Sequence, residues 1–291
     1  MPATSASLRR ARPLLGTFVE IHVDDTRPHG AEQAVEAAFA AVAEVHRLMS
    51  FYDPDSDVSR LNREAFSRAV PVHPWTYKVL QTAVDMVRLS QGAFDIGVAC
   101  QPQRSRVVGR EDRAIELLAE HHVRFHRAGY KIDLGGIAKG FAVDCAIEAL
   151  RRCEIAAALV NAGGDLATSG PRERTVDIRD PRSPLGVLCQ MQLRDQAMAS
   201  SARRFDLFRS TETTNTAVVD PATGRPAKQV LGATVCAPTC MVADALTKIV
   251  MITGEAAAGQ LTRFGASAML VAANGEILTT PDWQGDLQHA A

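Results

Sequence analysis

The chain has 291 residues, 46% of them apolar and 5% aromatic, and a formal net charge of -1. That length supports one large domain or two fused lobes with ample core. The near-neutral balance excludes a nucleic-acid binder steered by a basic surface, and no run approaches the roughly 18 apolar residues of a membrane span.

In chain order, RRARPLLGTFVEIHVDD imitates the charged and apolar parts of a secretion signal, but Glu20, His22, Asp24 and Asp25 interrupt it. TFVEIHV alternates as a strand does, so the segment reads as mature structure and the location as cytoplasmic. AEQAVEAAFAAVAEVHRLMS, 31–50, is a long Ala-rich amphipathic helix. In FYDPDSDVSRLNREAF, Pro54 and Ser56 mark a turn and cap before a short helix. WTYKVLQTAVDMVRLSQ, 75–91, is a second long helix closed by Gly92, and GAFDIGVACQPQRSRVVGRED reads as a loop-rich, exposed excursion.

KIDLGGIAKGFAVDCAIEALRR is strand, glycine turn and helix, the helix running from about 138 to 152. Short strand candidates follow in AAALVNAG, TVDIRD, LCQMQLR, TAVVD and VLGATVCA. A helix covers 240–253, EAAAGQLTRFG is helical, and ASAMLVAANGEIL is a hairpin turning at Asn274-Gly275. Strands and helices intersperse without a strict βαβ rhythm, which points to an α+β class of mixed sheets with packed helices. No low-complexity linker divides residues 1–291, which leaves one large domain or two fused lobes open. The six cysteines, Cys100, Cys145, Cys153, Cys189, Cys236 and Cys240, form no CxxC pair and read as buried thiols.

Three segments could carry chemistry. In IDLGGIAKGFAVD, Asp133 ends a strand, Gly135-Gly136 turns the chain and Lys139 sits in the first turn of a helix. A helix start presents unpaired N–H groups, glycines let a phosphate approach the backbone, and lysine adds a point charge. On spacing alone, a tight turn with a solvent lysine explains the segment equally well. ALVNAGGDLATSG and VVDPATGRP are glycine turns of the same kind, and read alone both are explained sterically. CMVADALTKI places Asp244 and Lys248 four residues apart on one helix face, with Thr247 beside them, in otherwise apolar surroundings. Burying that pair costs more than a surface ion pair returns unless each charge is well partnered, so Asp244 is a site candidate beside the plain ion-pair reading.

Taken in order, these segments resemble the ApbE family, the FAD:protein FMN transferases. The resemblance rests on LGT (15–17), SFYDPDSDVSRLN (50–62), GAFD (92–95), IDLGGIAKGFAVD (132–144), LVNAGGD (159–165), VVDPATGRP (218–226) and VADAL (242–246). It implies that residues 1–291 form a single domain built of two sheet-and-helix lobes, a duplicated, T-fold-like architecture with FAD in a cleft between halves. It further implies Mg²⁺-assisted transfer of FMN from FAD to a Thr or Ser hydroxyl of an acceptor flavoprotein, with release of AMP. By matching motif, Leu15, Tyr52, Ala93, Phe94 and Asp95 are expected to line the flavin nucleotide, and Asp133 and Lys139 to contact it. Tyr52 is expected to stack on a ring. The metal is expected to take the carbonyl of Gly136 and the carboxylate of Asp244.

The chain departs from the family pattern in the metal and base apparatus. Four residues after Asp244 the family's threonine is Lys248, and a protonated lysine repels a metal. Either Thr247 turns inward as the metal ligand, or Lys248 supplies the positive charge in place of Mg²⁺, or the site has decayed. The family's histidine before its Ile-Ile-Asp-Pro segment is Ala217, its Thr-Ser-Gly is Ser200, Ser201 and Ala202, and the Thr usual two residues after Asp95 is Gly97. The expectation is a flavin transferase with altered catalytic groups. The alternative is an FAD-binding protein that has lost transfer.

Overall fold

The computed structural model describes residues 6–25, 28–97, 114–183, 185–202 and 218–286. Ala217, Cys100 and the excursion beyond Gly97 lie outside the described residues. Ala6–Leu14 (β1) and Thr17–Asp25 (β2) form a hairpin across Leu15-Gly16. Both turn residues have positive φ, 57° and 70°, the twist that two-residue hairpin loops select. β2 alternates as its sequence indicates: Val19, Ile21 and Val23 are fully buried while Phe18 is exposed. The sequence pattern gives no sign of β1, because its arginines mask the strand. They form salt links to neighbouring acids, such as Arg9 to Glu20 at 2.7 Å, and charge suits an edge strand.

Pro28–Met49 (α1) comes next, then Asp57–Glu64 (α2), Val70–Pro71 (β3) and Pro74–Leu89 (α3). α2 starts where Ser56 caps it, the hydroxyl accepting the Ser59 N–H at 3.0 Å. Ile115–Leu117 (β4) and His122–Phe125 (β5) pair with β3 in a small sheet, ordered β3-β5-β4. Ala138–Arg152 (α4) leads to Ala157–Ala162 (β6), Asp165–Ser169 (β7), Arg174–Arg179 (β8) and Val187–Leu193 (β9). Ala197–Ala202 (β10), the short pair Val219–Asp220 (β11) and Arg225–Pro226 (β12), and Val230–Ala237 (β13) follow. Cys240–Thr253 (α5), Ala258–Arg263 (α6), Ser267–Ala272 (β14) and Ile277–Thr279 (β15) complete the order.

Eight strands make the main sheet, in the order β1-β2-β6-β7-β10-β13-β14-β15, each antiparallel to its neighbours. The class is α+β, with every described strand pairing antiparallel. β1-β2 and β6-β7 are separated in sequence by α1 and α4, while β10-β13 and β14-β15 are separated by α5 and α6. α4 packs on β6 and β7, α5 packs on β10 and β13, and the two helices touch. Because strand side chains alternate between faces, the opposite face is covered separately. There Ile178, Leu188, Met191 and Leu193 of the β8-β9 hairpin meet Met198, Cys236 and Met269 of the sheet.

The start of α5 is set across the α4–α5 contact. Thr239 caps α5 through the Val242 N–H, and Asp144 on α4 accepts the Cys240 and Met241 N–H groups at 2.8 and 2.9 Å. Gly140 permits this approach, since a Cβ there would fall 2.3 Å from the Cys240 carbonyl oxygen. Of the described cysteines, Cys189, Cys236 and Cys240 are buried and Cys145 and Cys153 half-buried. Among the described residues no helix is long and apolar enough to cross a membrane.

Candidate active site

The site begins with two loops wired together by their backbones. The Asp133 N–H donates to the Ile96 carbonyl at 2.8 Å. Asn62, in the last turn of α2, clamps the neighbouring residue: its Nδ2 donates to the Ile132 carbonyl at 2.9 Å and its Oδ1 accepts the Ile132 N–H at 2.7 Å. Asp133 Oδ1 then accepts the Gly135 N–H at 2.8 Å, bending the chain into α4. On the partner loop, Ser90 Oγ accepts the Phe94 N–H at 2.9 Å and Asp95 Oδ1 accepts the Gly97 N–H at 2.7 Å. The Tyr130 ring fills the space beside Gly97. A Cβ at Gly97 would lie 2.7 Å from it.

These loops form one wall of a cleft of about 920 Å³, at the upper end of the range for small-molecule pockets. Ala93, Phe94, Asp95, Asp133, Gly136, Lys139 and Lys248 all line it. Ser200, Ser201 and Thr234 contribute hydroxyls from β10 and β13, and Asn161, Gly163 and Gly164 form another edge. Four expected site residues lie elsewhere. Leu15 sits in the β1-β2 turn, and Tyr52 is 92% exposed with its ring edge-on to Phe51, so neither lines the cleft. Asp244 and Thr247 are completely buried behind the cleft surface.

Charge in the cleft is paired across α4, α5 and β7. Lys139 Nζ bonds Asp165 Oδ2 and stands 3.9 Å from Asp244 Oδ2. Lys248 Nζ bonds Asp244 Oδ1 and lies 3.2 Å from Thr247 Oγ1. The Gly140 N–H donates to Asp244 Oδ2 at 3.1 Å. Burial pushes the Asp244 carboxyl up, but Lys248, Lys139 and the Gly140 N–H outweigh it and hold it below the ordinary aspartate value. Asp165 is pushed up to about 6, by burial first and then by the charge of Asp244, against the pull of Lys139. Burial opposes the charge on Lys139, yet Asp244 and Asp165 together hold its ammonium above the ordinary lysine value.

This donor set does not fit the expected Mg²⁺. Mg²⁺ asks for a near-octahedral set of oxygens with open lone pairs. Both Asp244 oxygens already accept from protein donors, one of them an ammonium. Thr247 donates its hydroxyl hydrogen to the Asp244 carbonyl at 2.7 Å, and its oxygen faces Lys248 Nζ and Ser201 Oγ at 3.2 and 2.8 Å. Thr247 therefore turns towards the lysine rather than offering a free ligand. Among the described residues no cluster of three or more His, Cys, Asp or Glu side chains could hold a metal.

Asp165 is the site residue that sequence reading underrates. It ends the motif LVNAGGD, yet the glycine turn accounts for that motif by itself. Its role emerges only where β7 brings it to Lys139, 26 positions away in the chain. Its Oδ1 is buried with no hydrogen-bond partner among the described residues.

Comparison with known proteins places these features in a group. The sequence model described as ApbE family matches residues 15–271. The chain is 27% identical over 305 aligned positions to the FAD:protein FMN transferase of Treponema pallidum (strain Nichols), covering 90% of this chain and 83% of that protein. It is 28% identical over 244 positions to the FAD:protein FMN transferase of Vibrio cholerae serotype O1, covering 73% and 71%. Its fold superposes on the crystal structure of the ApbE protein of Thermotoga maritima with a TM-score of 0.82 at 26% identity, covering 95% and 97% of the two chains. The apo structure of the flavinyl transferase ApbE of Pseudomonas stutzeri gives 0.79 at 20% identity, covering 95% and 94%, a likeness of fold alone.

Proposed function

The chain belongs to the ApbE family, and on that premise we propose that it transfers FMN from FAD to a serine or threonine hydroxyl of an acceptor flavoprotein. The observation that carries this reading is the cleft joining Ala93, Phe94, Asp95, Asp133 and Lys139, five residues that the family motifs nominate for the flavin nucleotide, with Gly136 and Lys248. The activity for which its relatives are named supports it. In the reaction, the acceptor oxygen forms a bond to the FMN phosphorus while the bond from that phosphorus to the bridging oxygen breaks. AMP leaves with the bridging oxygen and its electron pair, and the hydroxyl proton passes to solvent. Negative charge grows on the phosphate oxygens and the leaving group, so fixed positive groups there are the main catalytic device. Lys139 and Lys248 fill that role, and the start of α4, which has no side-chain cap, adds its amides. With Ala217 at the position of the family's histidine, transfer is expected to run about 10²- to 10⁴-fold slower than with a positioned base.

The test is AMP release from FAD by the purified protein, together with the mass of candidate acceptor proteins. Stoichiometric AMP and an acceptor gaining the mass of FMN at a Ser or Thr support transfer. AMP at the uncatalysed background with several acceptors would refute it. A second reading, FAD binding without transfer, is favoured by one observation: the ammonium lodged against Asp244 and Thr247. It predicts stoichiometric bound FAD and no AMP.

A further inference from the structure

We propose that this cleft holds the FAD pyrophosphate without a divalent cation, the Lys248 ammonium occupying the place between Asp244 and Thr247 that such an ion would need. The proposal rests on the FAD reading above and adds how the phosphates are held.

An ammonium has three N–H bonds to place. One is spent on Asp244 Oδ1, and a second faces Thr247 Oγ1 at 3.2 Å. The third is left for the cleft, which Lys248 lines while its side chain is only 17% exposed. The stem of Lys248 lies beside Gly136 at the start of α4, its Cε 3.8 Å from where a Cβ on that glycine would be. A phosphate drawn to the α4 N-terminus therefore meets this ammonium at once. Lys139 approaches from the helix itself, bonded to Asp165 Oδ2 and 3.9 Å from Asp244 Oδ2.

The charge count agrees. Asp165 and Asp244 contribute two carboxylates, and Lys139 and Lys248 two ammoniums that balance them. A divalent cation seated on Asp244 would displace one ammonium from its carboxylate and face both at short range, where like charges repel strongly in a shielded site. Ser201 closes the remaining approach by holding Thr247 Oγ1 at 2.8 Å. Replacing lysine by threonine at position 248 removes the occupant and returns both Asp244 Oδ1 and a hydroxyl to the cleft.

The experiment is a titration of flavin-free protein with FAD, followed by flavin fluorescence, once in EDTA and once in Mg²⁺. The natural chain is expected to bind with affinities agreeing within about threefold in the two buffers. Lys248→Met, which keeps the stem and loses the charge, is expected to bind about tenfold or more weakly in EDTA. Lys248→Thr is expected to bind weakly in EDTA and to recover in Mg²⁺. Binding by the natural chain that needs Mg²⁺ overturns the cation-free proposal and leaves the FAD reading intact. No FAD binding in either buffer overturns both. Circular dichroism checks each variant's fold, and the two titrations of the natural chain decide the matter if a variant does not fold.

Discussion

On the wall made by residues 93–97 and 130–137, position comes from backbone hydrogen bonds, whereas on the α4–α5 wall it comes from charges buried between helices. The Asn62 and Ser90 side chains and the Ile96 carbonyl hold the first wall by hydrogen bonds to its main chain. Exchange of a lining side chain that makes none of these bonds therefore leaves it standing. On the second wall, Asp244 is shared by Lys248, Lys139 and the Gly140 N–H, so one substitution changes the surroundings of all the others. Lys248 belongs to that charge-coupled wall.

The largest break is expected from Asp244→Ala. It strands two lysines and a buried N–H, and should cost about 3–5 kcal/mol in denaturant unfolding. Next, Gly140→Ala forces a methyl against the Cys240 carbonyl and should cost about 3 kcal/mol with little effect on the first wall. Asp144 gives a pH signature of similar size. Burial raises its carboxyl from 3.8 to about 6, against the two amides it caps. Between those values the folded chain keeps a proton that the unfolded chain has released. Its contribution therefore favours the fold below about pH 4 and is lost as pH rises through about 6. Asp144→Asn should flatten that part of the stability-against-pH curve, measured from pH 4 to 7.

On the first wall, Asn62→Ala removes both hydrogen bonds to Ile132 and should cost about 2 kcal/mol, with weaker FAD binding as Asp133 shifts. The smallest effect is expected at Tyr52, whose exposed ring touches the chain only at its edge. Tyr52→Ala should leave stability within about 0.5 kcal/mol. A large loss there would place the ring in a role that its exposure does not suggest.

Legibility in the sequence followed how local the signal is. α4, α5 and β13 could be read directly, because Gly135-Gly136 opens the run at 138–152 and Pro226, Pro238 and Gly254 mark off those at 230–237 and 240–253. The Asn274-Gly275 hairpin was equally local. β1 was hidden by its arginines and β10 by the small residues of AMASSA, whose strand character comes from pairing with β7 and β13. The cleft residues from the glycine turn and GAFD were visible as motifs. The pairings that give them meaning span long separations: Asn62 with Ile132, Lys139 with Asp165, and Asp144 with the start of α5. No window of sequence contains both members. Likewise, an i,i+4 Asp–Lys pair looks the same on paper whether it lies on a surface or, as here, behind a cleft.

The central claim is that FAD occupies the cleft between the glycine-turn wall and Lys248, and hydrogen exchange with and without FAD tests it most directly. With FAD bound, amide exchange is expected to slow in peptides covering 93–97 and 133–139. FAD binding that leaves both segments unchanged, with slowing confined to the surface around Leu15 and Tyr52, would contradict it.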